Sequence, residues 1–265
     1  MEQKADYKNW IPRGMIASMC AGTVVLAAGA AALGTMGTAG RGAAFGVLSA
    51  VCGLGGAALG AGTVWSAAAY RAFSYGGTRQ LSRRIVEGTA EYVTLPEGGC
   101  GLDIGCGSGA LTIACARRNP QGTMLGIDRW GPEYASFSRE LCQRNAEAEG
   151  VENVSFQKGD AVKLDFPDES FDAVASNYVY HNIPSRDRQK LLLETLRVLK
   201  KGGVFAIHDI MSPARYGDME AFAAELRRQG YERVERIDTT NGLFITAKEA
   251  KWLGLCGSTL LTGEK

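Results

Sequence analysis

Two long stretches without a charged side chain constrain the first third of the chain. Gly14 to Gly40 has no charged residue in 27 positions, and Gly42 to Tyr70 has none in 29, with Arg41 alone between them. Each stretch exceeds the roughly 20 residues that cross the hydrocarbon core of a bilayer. The sequence therefore predicts two membrane-spanning helices, at about 15–38 and 43–68, joined by a tight turn.

Two other interpretations of these stretches remain open. The first can be a cleaved signal peptide, because basic residues precede it and small residues follow it. Both can form a buried helical pair in a soluble protein, since they are rich in alanine and glycine. Small residues also favour close helix packing in lipid, and Gly42/Gly46 and Gly56/Gly60 have the required spacing. That spacing permits packing within the hairpin or between protomers, so a homo-oligomer is one expectation.

Basic residues flank the two stretches and predict their orientation. Residues 1–84 hold 8 basic and 2 acidic side chains, which leaves 21 basic and 26 acidic in the remainder. The connecting turn has only Arg41, so both termini are expected in the cytoplasm, with the protein multi-pass in the cell (plasma or inner) membrane. The basic residues after the second stretch suit anionic lipid headgroups. The acidic remainder argues against a nucleic-acid partner.

A glycine-rich segment, "LDIGCGSGALTIA", follows at 102–114 and reads as a strand, a loop and a helix. Gly105, Gly107 and Gly109 let the backbone turn sharply and approach a ligand closely. The spacing also fits the dinucleotide fingerprint, which is a weak signal by itself. Asp103 would repel a pyrophosphate and attract a cation. S-adenosylmethionine is such a ligand, because it carries an ammonium and a sulfonium and has no phosphate.

The next strands end in residues that suit a nucleoside. "GTMLGID" ends in Asp128, whose carboxylate can accept both ribose hydroxyls, as in other doubly wound sheets. "VSFQKGDAV" contains Asp160, placed to accept from the adenine amino group, while the Ala161 amide donates to the ring. "FDAVASN" ends at Asn177.

The series "LDIGCGSG", "GIDRW", "KGDAVKLDFPDESFDAVASN" and "LRVLKKGGVFAIHD" closely resembles the class I S-adenosylmethionine-dependent methyltransferases, from about Gly77 to the C-terminus. The resemblance implies that the glycine loop and Asp103 hold the methionine part, Asp128 the ribose and Asp160 the adenine. Lys201 stands where the family often has proline, in a turn. The expected cofactor-binding residues are Asp103, Gly105, Cys106, Gly107, Gly109, Asp128, Arg129, Trp130, Gly159, Asp160, Ala161 and Asn177.

Alternating strands and helices predict an α/β fold with a Rossmann-like, doubly wound, seven-stranded sheet, the class I methyltransferase fold, preceded by a two-helix transmembrane hairpin. The expected domains are an N-terminal segment, 1–72, and a methyltransferase domain, 73–265. In "PSRDRQKLLLETLRVLKKGG" we expect a helix that Ser185 caps and that Gly202 and Gly203 stop.

The expected catalytic residues follow the fourth and fifth strands, because open parallel sheets bind ligands at the carboxyl ends of their strands. His181 can act as a general base toward a hydroxyl or phenol, and a structural or cofactor-side role is the alternative. Tyr178 and Asp209 complete the expected catalytic set. The seven cysteines lack metal-ligand spacing, so no metal site is expected.

Together these features predict a membrane-anchored S-adenosylmethionine-dependent methyltransferase. Tethering concentrates the enzyme near bilayer-dissolved molecules, which favours a small, hydrophobic or membrane-associated acceptor. One alternative is a soluble small-molecule acceptor with the hairpin as a tether only. The other is a membrane scaffold that binds the cofactor without catalysis. The sequence does not choose between O-, N-, S- and C-methylation.

Overall fold

The computed structural model describes residues 4–38, 43–132 and 136–265. These residues form two compact units. One is Asn9–Ser82, and the other combines Arg83–Lys265 with the described part of Met1–Lys8. Arg41, Gly42 and the predicted turn around them lie outside the described residues. The predicted domain boundary between residues 72 and 73 stays a prediction.

The first unit is a pair of helices, α1 (Arg13–Thr38) and α2 (Ala43–Phe73), each long and apolar enough to cross a membrane. The helices pack through small residues: a Cβ at Gly60 would lie 3.4 Å from Cγ2 of Thr23, and the Ser49 hydroxyl donates to the Ala30 carbonyl at 2.7 Å. Gly56/Gly60 therefore packs within the hairpin, while association of protomers stays a prediction. Apolar side chains such as Leu54, 74% exposed, point away from the pair.

The second unit alternates strands and helices. Its helices are α3 (Leu81–Ala90), α4 (Ala110–Arg118), α5 (Arg139–Ala148), α6 (Arg188–Arg197), α7 (Pro213–Tyr216), α8 (Met219–Arg228) and α9 (Ala247–Leu253), and a 3-10 turn lies at Tyr180–Asn182. Its strands are β1 (Cys100–Ile104), β2 (Thr123–Asp128), β3 (Val154–Lys158), β4 (Phe171–Asn177), β5 (Leu199–Ile210), β6 (Arg233–Asp238) and β7 (Ser258–Glu264).

The seven strands form one sheet in the order β3-β2-β1-β4-β5-β7-β6. The first five are parallel, and β7 pairs antiparallel with both β5 and β6. This confirms the predicted doubly wound seven-stranded fold. The strand order reverses between β1 and β4, and ligands of such sheets bind at the carboxyl ends of the strands beside that reversal.

Apolar side chains on the strands and helices bury the sheet and hold those carboxyl ends in place. Leu102 of β1, Val174 of β4, Phe205 of β5 and Leu196 of α6 are each at most 1% exposed and belong to one core cluster. Parallel strands covered on both faces need such continuous apolar runs.

The helix expected to begin at Ser185 and end at Gly202 is shorter at both ends, so that prediction was wrong in its boundaries. Asp187 is the N-cap of α6, with its side chain accepting from the Lys190 amide, and the Ser185 hydroxyl instead donates to the Asp187 carbonyl. Gly202 and Gly203 lie inside β5. A Cβ at Gly203 would lie 2.9 Å from the Asp172 carbonyl, so the close approach of β4 requires glycine there.

Candidate functional site

The glycine loop between β1 and α4 is held by the end of β2. The amides of Gly105 and Cys106 both donate to the Ile127 carbonyl, at 2.8 and 3.0 Å. Gly105, Gly107 and Gly109 have φ angles of 74°, 56° and 83°, which glycine adopts readily and other residues rarely do. Among the described residues, a Cβ at Gly107 would meet nothing nearer than 4.0 Å, so that part of the chain leaves open space on that side of the loop.

Asp128, at the end of β2, links the loop to the segment that follows. One carboxylate oxygen accepts from the Gly107 amide at 2.9 Å, and the other accepts from the Trp130 amide at 2.8 Å. The Trp130 indole N–H donates to the Gly107 carbonyl at 2.9 Å. A carboxylate has about four lone-pair positions, so these two bonds leave acceptor positions for ligand hydroxyls.

Asp103 lies below the loop, 1% exposed, and its carboxyl accepts from the Thr112 hydroxyl at 2.6 Å. Burial raises its pKa to about 7, which the Thr112 hydrogen bonds oppose and the nearby Asp128 carboxylate reinforces. Among the described residues, neither Asp103 nor Asp128 forms an ion pair. The Asp128 carboxylate therefore gives the loop a negative potential, which favours a cationic ligand, and the buried Asp103 carboxyl adds to that potential only when it loses its proton.

The other expected cofactor residues lie around this loop or at the adjacent strand ends. Cys106 is buried, and burial raises the pKa of its thiol, so the thiol stays protonated. The Asp160 carboxylate accepts from the Val162 amide at 2.9 Å and is exposed, as is Arg129. The Asn177 side chain contacts His208 at 2.8 Å. Gly159 and Ala161 flank Asp160 just after β3, and the roles of all these residues stay predictions.

His181, in the 3-10 turn after β4, and Asp209, near the carboxyl end of β5, form a hydrogen-bonded pair. The His181 Nδ1 lies 2.6 Å from one Asp209 oxygen, and the His181 amide donates to the other at 3.2 Å. The Asp209 side chain is fully buried, and the imidazole is 16% exposed. A carboxylate only accepts hydrogen bonds, so Nδ1 carries the proton and Nε2 is the basic nitrogen.

Tyr178 lies between the two histidines, with ring centroids 5.9 Å from His181 and 4.7 Å from His208. Its hydroxyl hydrogen-bonds the Ser258 hydroxyl at 2.7 Å, and burial raises the pKa of the phenol, so it stays neutral. His208 is 1% exposed between Asn177 and Thr239, and burial lowers its pKa to about 3. His208 is therefore a neutral packing residue, and His181 is the more accessible histidine.

Arg188, at the start of α6, is a positioning residue that sequence reasoning missed. Its guanidinium donates to the carbonyls of Tyr180, His181 and Ile183 at 3.1 to 3.4 Å, and also to those of Ser185 and Arg215. These bonds fix the segment that carries His181. In the sequence, Arg188 is one of several charged residues at a helix start, and only the folded chain brings the five carbonyls to it.

Asn145, on α5, was also missed and ties the N-terminus to the glycine loop. Its amide group accepts from the Asp6 amide at 2.7 Å and donates to the carbonyls of Asp6 and Ser108. The Ser108 hydroxyl donates to the Tyr7 carbonyl at 2.9 Å. Because 139 residues separate Asp6 from Asn145, no local sequence pattern signals this contact.

Five parallel strands with a glycine loop after β1 and an aspartate at the end of β2 form the arrangement that doubly wound α/β proteins use to bind nucleosides. The family model described as "Methyltransferase domain" matches residues 97–232. The chain therefore belongs to the class I S-adenosylmethionine-dependent methyltransferases.

Two curated relatives illustrate the range within this family. A demethylmenaquinone methyltransferase of Geobacillus stearothermophilus is 32% identical over 117 residues, which are 44% of this chain and 47% of the relative. An arsenite methyltransferase of Halobacterium salinarum is 34% identical over 128 residues, 48% of this chain and 31% of the relative. The chain thus spans about half or less of the length of these relatives.

Two solved structures share the fold. The cyclase SpnF has a TM-score of 0.54 at 22% identity, covering 71% of this chain and 82% of that chain. Geranyl diphosphate methyltransferase, in complex with GPP and sinefungin, has a TM-score of 0.51 at 16% identity. The match covers 74% of this chain and 81% of that chain. A cyclase and a methyltransferase on one fold mean that the fold alone does not choose the reaction.

The raised pKa of Asp103 predicts a pH-dependent stability difference between the native protein and Asp103→Asn. In the folded chain Asp103 keeps its proton up to about pH 7, while in the unfolded chain it loses it near 3.8. Raising the pH through this window therefore destabilises the native protein relative to the neutral amide variant. Unfolding midpoints in detergent, measured from pH 5 to 8, should show the variant gaining relative stability up to about pH 7 and no further. If the unfolding midpoints of the two proteins changed with pH in parallel, Asp103 would not be a buried, protonated carboxyl.

The Arg188 contacts predict that Arg188→Gln loosens the segment carrying His181 without unfolding the protein. Lost charge-assisted hydrogen bonds should speed amide exchange in residues 180–185 by about tenfold or more. Hydrogen–deuterium exchange on the full chain measures this. Arg186→Gln, an exposed neighbouring arginine, is the control and should leave exchange unchanged. Equal exchange in both variants would remove the positioning role.

Proposed function

We propose that this protein is a membrane-anchored methyltransferase that uses S-adenosylmethionine to methylate a small, hydrophobic acceptor at a proton-bearing atom such as a hydroxyl or phenol oxygen. The observation that carries the proposal is the His181–Asp209 pair, a base held by a buried carboxylate at the carboxyl edge of the sheet. Family membership supports the methyl-transfer class, and the two apolar helices support anchoring.

The loop fits S-adenosylmethionine. The open side of Gly107 leaves room for a ligand against the backbone, and a Cβ there would reach into that room. The Asp128 carboxylate supplies negative potential for the cationic methionine part, Asp103 adds to it when ionised, and free acceptor positions on Asp128 suit ribose hydroxyls. When bound, this cofactor supplies an electrophilic methyl group.

His181 supplies the remaining chemistry. Its Nδ1–H donates to Asp209, which fixes the ring and stabilises the positive charge when Nε2 takes a proton from the acceptor. A hydroxyl or phenol gains nucleophilicity when its proton is removed, whereas a neutral amine already has a lone pair. The pair therefore favours acceptors that need a base over those that do not.

The two apolar helices favour an acceptor that dissolves in the bilayer. Their outward side chains, such as Val25 at 69% and Val64 at 71% exposure, suit contact with lipid. A tethered enzyme meets bilayer-dissolved acceptors at high effective concentration. The curated relatives named for demethylmenaquinone and arsenite are consistent with small acceptors of either solubility.

Asp128→Ala should weaken S-adenosylmethionine binding by roughly tenfold or more, because hydrogen bonds from ligand hydroxyls to a carboxylate are lost. Isothermal titration calorimetry of the detergent-purified full chain measures this. Asp128→Asn, which keeps one oxygen acceptor, should lose less, and the exposed Asp165→Ala is the matched control. An unfolding scan of each variant separates loss of binding from loss of fold. Unchanged affinity in Asp128→Ala would contradict the ribose assignment.

His181→Ala should lower turnover by about a hundredfold or more while cofactor affinity stays unchanged, because a positioned base contributes at least that much. The assay counts labelled methyl groups transferred to pooled membrane lipids and to pooled soluble metabolites. Asp209→Asn should also lose turnover, since the amide no longer fixes the tautomer, and exposed Asn182→Ala is the neighbouring control. Equal turnover in His181→Ala would assign it a structural role. Bound cofactor without transfer to either pool would favour the scaffold.

A further inference from the structure

The second unit, which we call the catalytic unit, has an exposed face that combines basic and large apolar side chains. On α9, Lys248, Lys251 and Trp252 are exposed at helical spacing, while Ala250 and Leu253 are buried. Trp252 is 47% exposed. A helix that presents lysines and a tryptophan on one face is typical of segments that lie at a membrane surface.

The loop before α9 extends this face. Leu243 is 42% exposed, and the Arg84 guanidinium holds the loop by donating to the carbonyls of Gly242 and Leu243, both at 3.1 Å. Among the described residues of the catalytic unit, four large apolar side chains are prominently exposed, and Leu243 and Trp252 are two of them; the others are Val162 and Leu193. Leu243 and Trp252 thus expose large apolar side chains within ten residues of each other along the chain.

The charge of the face is opposite to that of the surrounding unit. Residues 85–265 hold 21 basic and 26 acidic side chains, yet Lys248 and Lys251 are exposed on α9, and the exposed Arg84 contacts the loop before it. The acidic residue of α9, Glu249, is the capping-box partner of Thr246. A basic patch on an acidic domain is complementary to anionic lipid headgroups, each basic residue adding attraction near such a surface.

The loop before α9 also contacts the aromatic side chains of the candidate site. Phe244, next to Leu243, is 4% exposed, and its ring lies 5.3 Å from that of His208. His208 in turn contacts Tyr178, which lies beside His181. The loop therefore has one apolar side chain outside and the next one against the aromatic side chains of the site.

We propose that the face formed by Arg84, Leu243, Lys248, Lys251 and Trp252 binds the anionic surface of a lipid bilayer, and that this contact brings the Phe244 side of the site to the lipid. The proposal deepens the proposed function and rests on its membrane anchoring. The occupant is the bilayer, because the face combines basic and interfacial aromatic side chains in a chain whose helices α1 and α2 suit a membrane.

The test uses the full chain reconstituted in vesicles of phosphatidylcholine with phosphatidylglycerol, with and without lipids brominated near the headgroup. The difference between native protein and Trp252→Phe gives the emission of Trp252. We expect brominated lipid to quench the Trp252 fluorescence and high salt to weaken that quenching. The double variant Lys248→Glu/Lys251→Glu should lose most of the quenching. Lys190→Glu/Lys201→Glu carries the same charge change at exposed positions elsewhere and should retain it.

Trp252 fluorescence that brominated lipid does not quench would overturn the proposal. If an aqueous quencher also fails to reach it, protein covers the face, either another segment or a second copy. Resistance of the chain to alkaline extraction tests anchoring separately. Quenching requires no turnover, so a protein that shows quenching without methyl transfer would contradict the proposed function and leave the lipid-binding face standing.

Discussion

The glycine loop keeps its shape because the end of β2 binds it from below. The Ile127 carbonyl accepts from two successive loop amides, and the Asp128 carboxylate accepts from a third, that of Gly107. Backbone groups that bind β2 in this way leave the outer side of Gly107 open. The carboxylate that holds the loop is also the one that suits ribose hydroxyls, so the shape of the loop and its capacity to bind a nucleoside depend on one side chain.

The loop is also supported from the opposite end of the chain. Asn145 bonds the backbone of Asp6 in both directions and the Ser108 carbonyl, and Ser108 bonds Tyr7. The bonds from Asn145 to the Ser108 carbonyl and from Ser108 to the Tyr7 carbonyl are buried, where an unpaired polar group costs about 1 to 3 kcal/mol. The segment just before α1 is thus part of the architecture of the catalytic unit, although its sequence has no motif that signals such a role.

The fold and the positions of the glycine loop and Asp128 could be predicted from sequence because their signals are local, while the cofactor-binding roles of these residues stay predictions. Strand ends place Asp128 and Asp160 at one sheet edge, and three glycines mark the loop. The pairing of His181 with Asp209 could not be predicted, since it depends on the register of β4 against β5, in which Asn177 lies opposite His208. Arg188 was missed because its five acceptors come from two separate segments. The helix boundary at Gly202 and Gly203 was wrong because glycine both ends helices and permits close strands, and at Gly203 only the close approach of β4 decides between these roles.

The burial of Asp209 decides what the candidate base can do. A fully buried carboxylate that accepts from His181 Nδ1, from the His181 amide and from the Ile210 amide is fixed in place by three donors. It therefore holds the imidazole in one orientation, with Nε2 directed away from the carboxylate. Tyr178 and His208 stay neutral and pack beside it, so Nε2 of the partly exposed His181 is the accessible basic nitrogen of this cluster. The geometry thus concentrates proton transfer at one atom, and an acceptor that must lose a proton gains most from it.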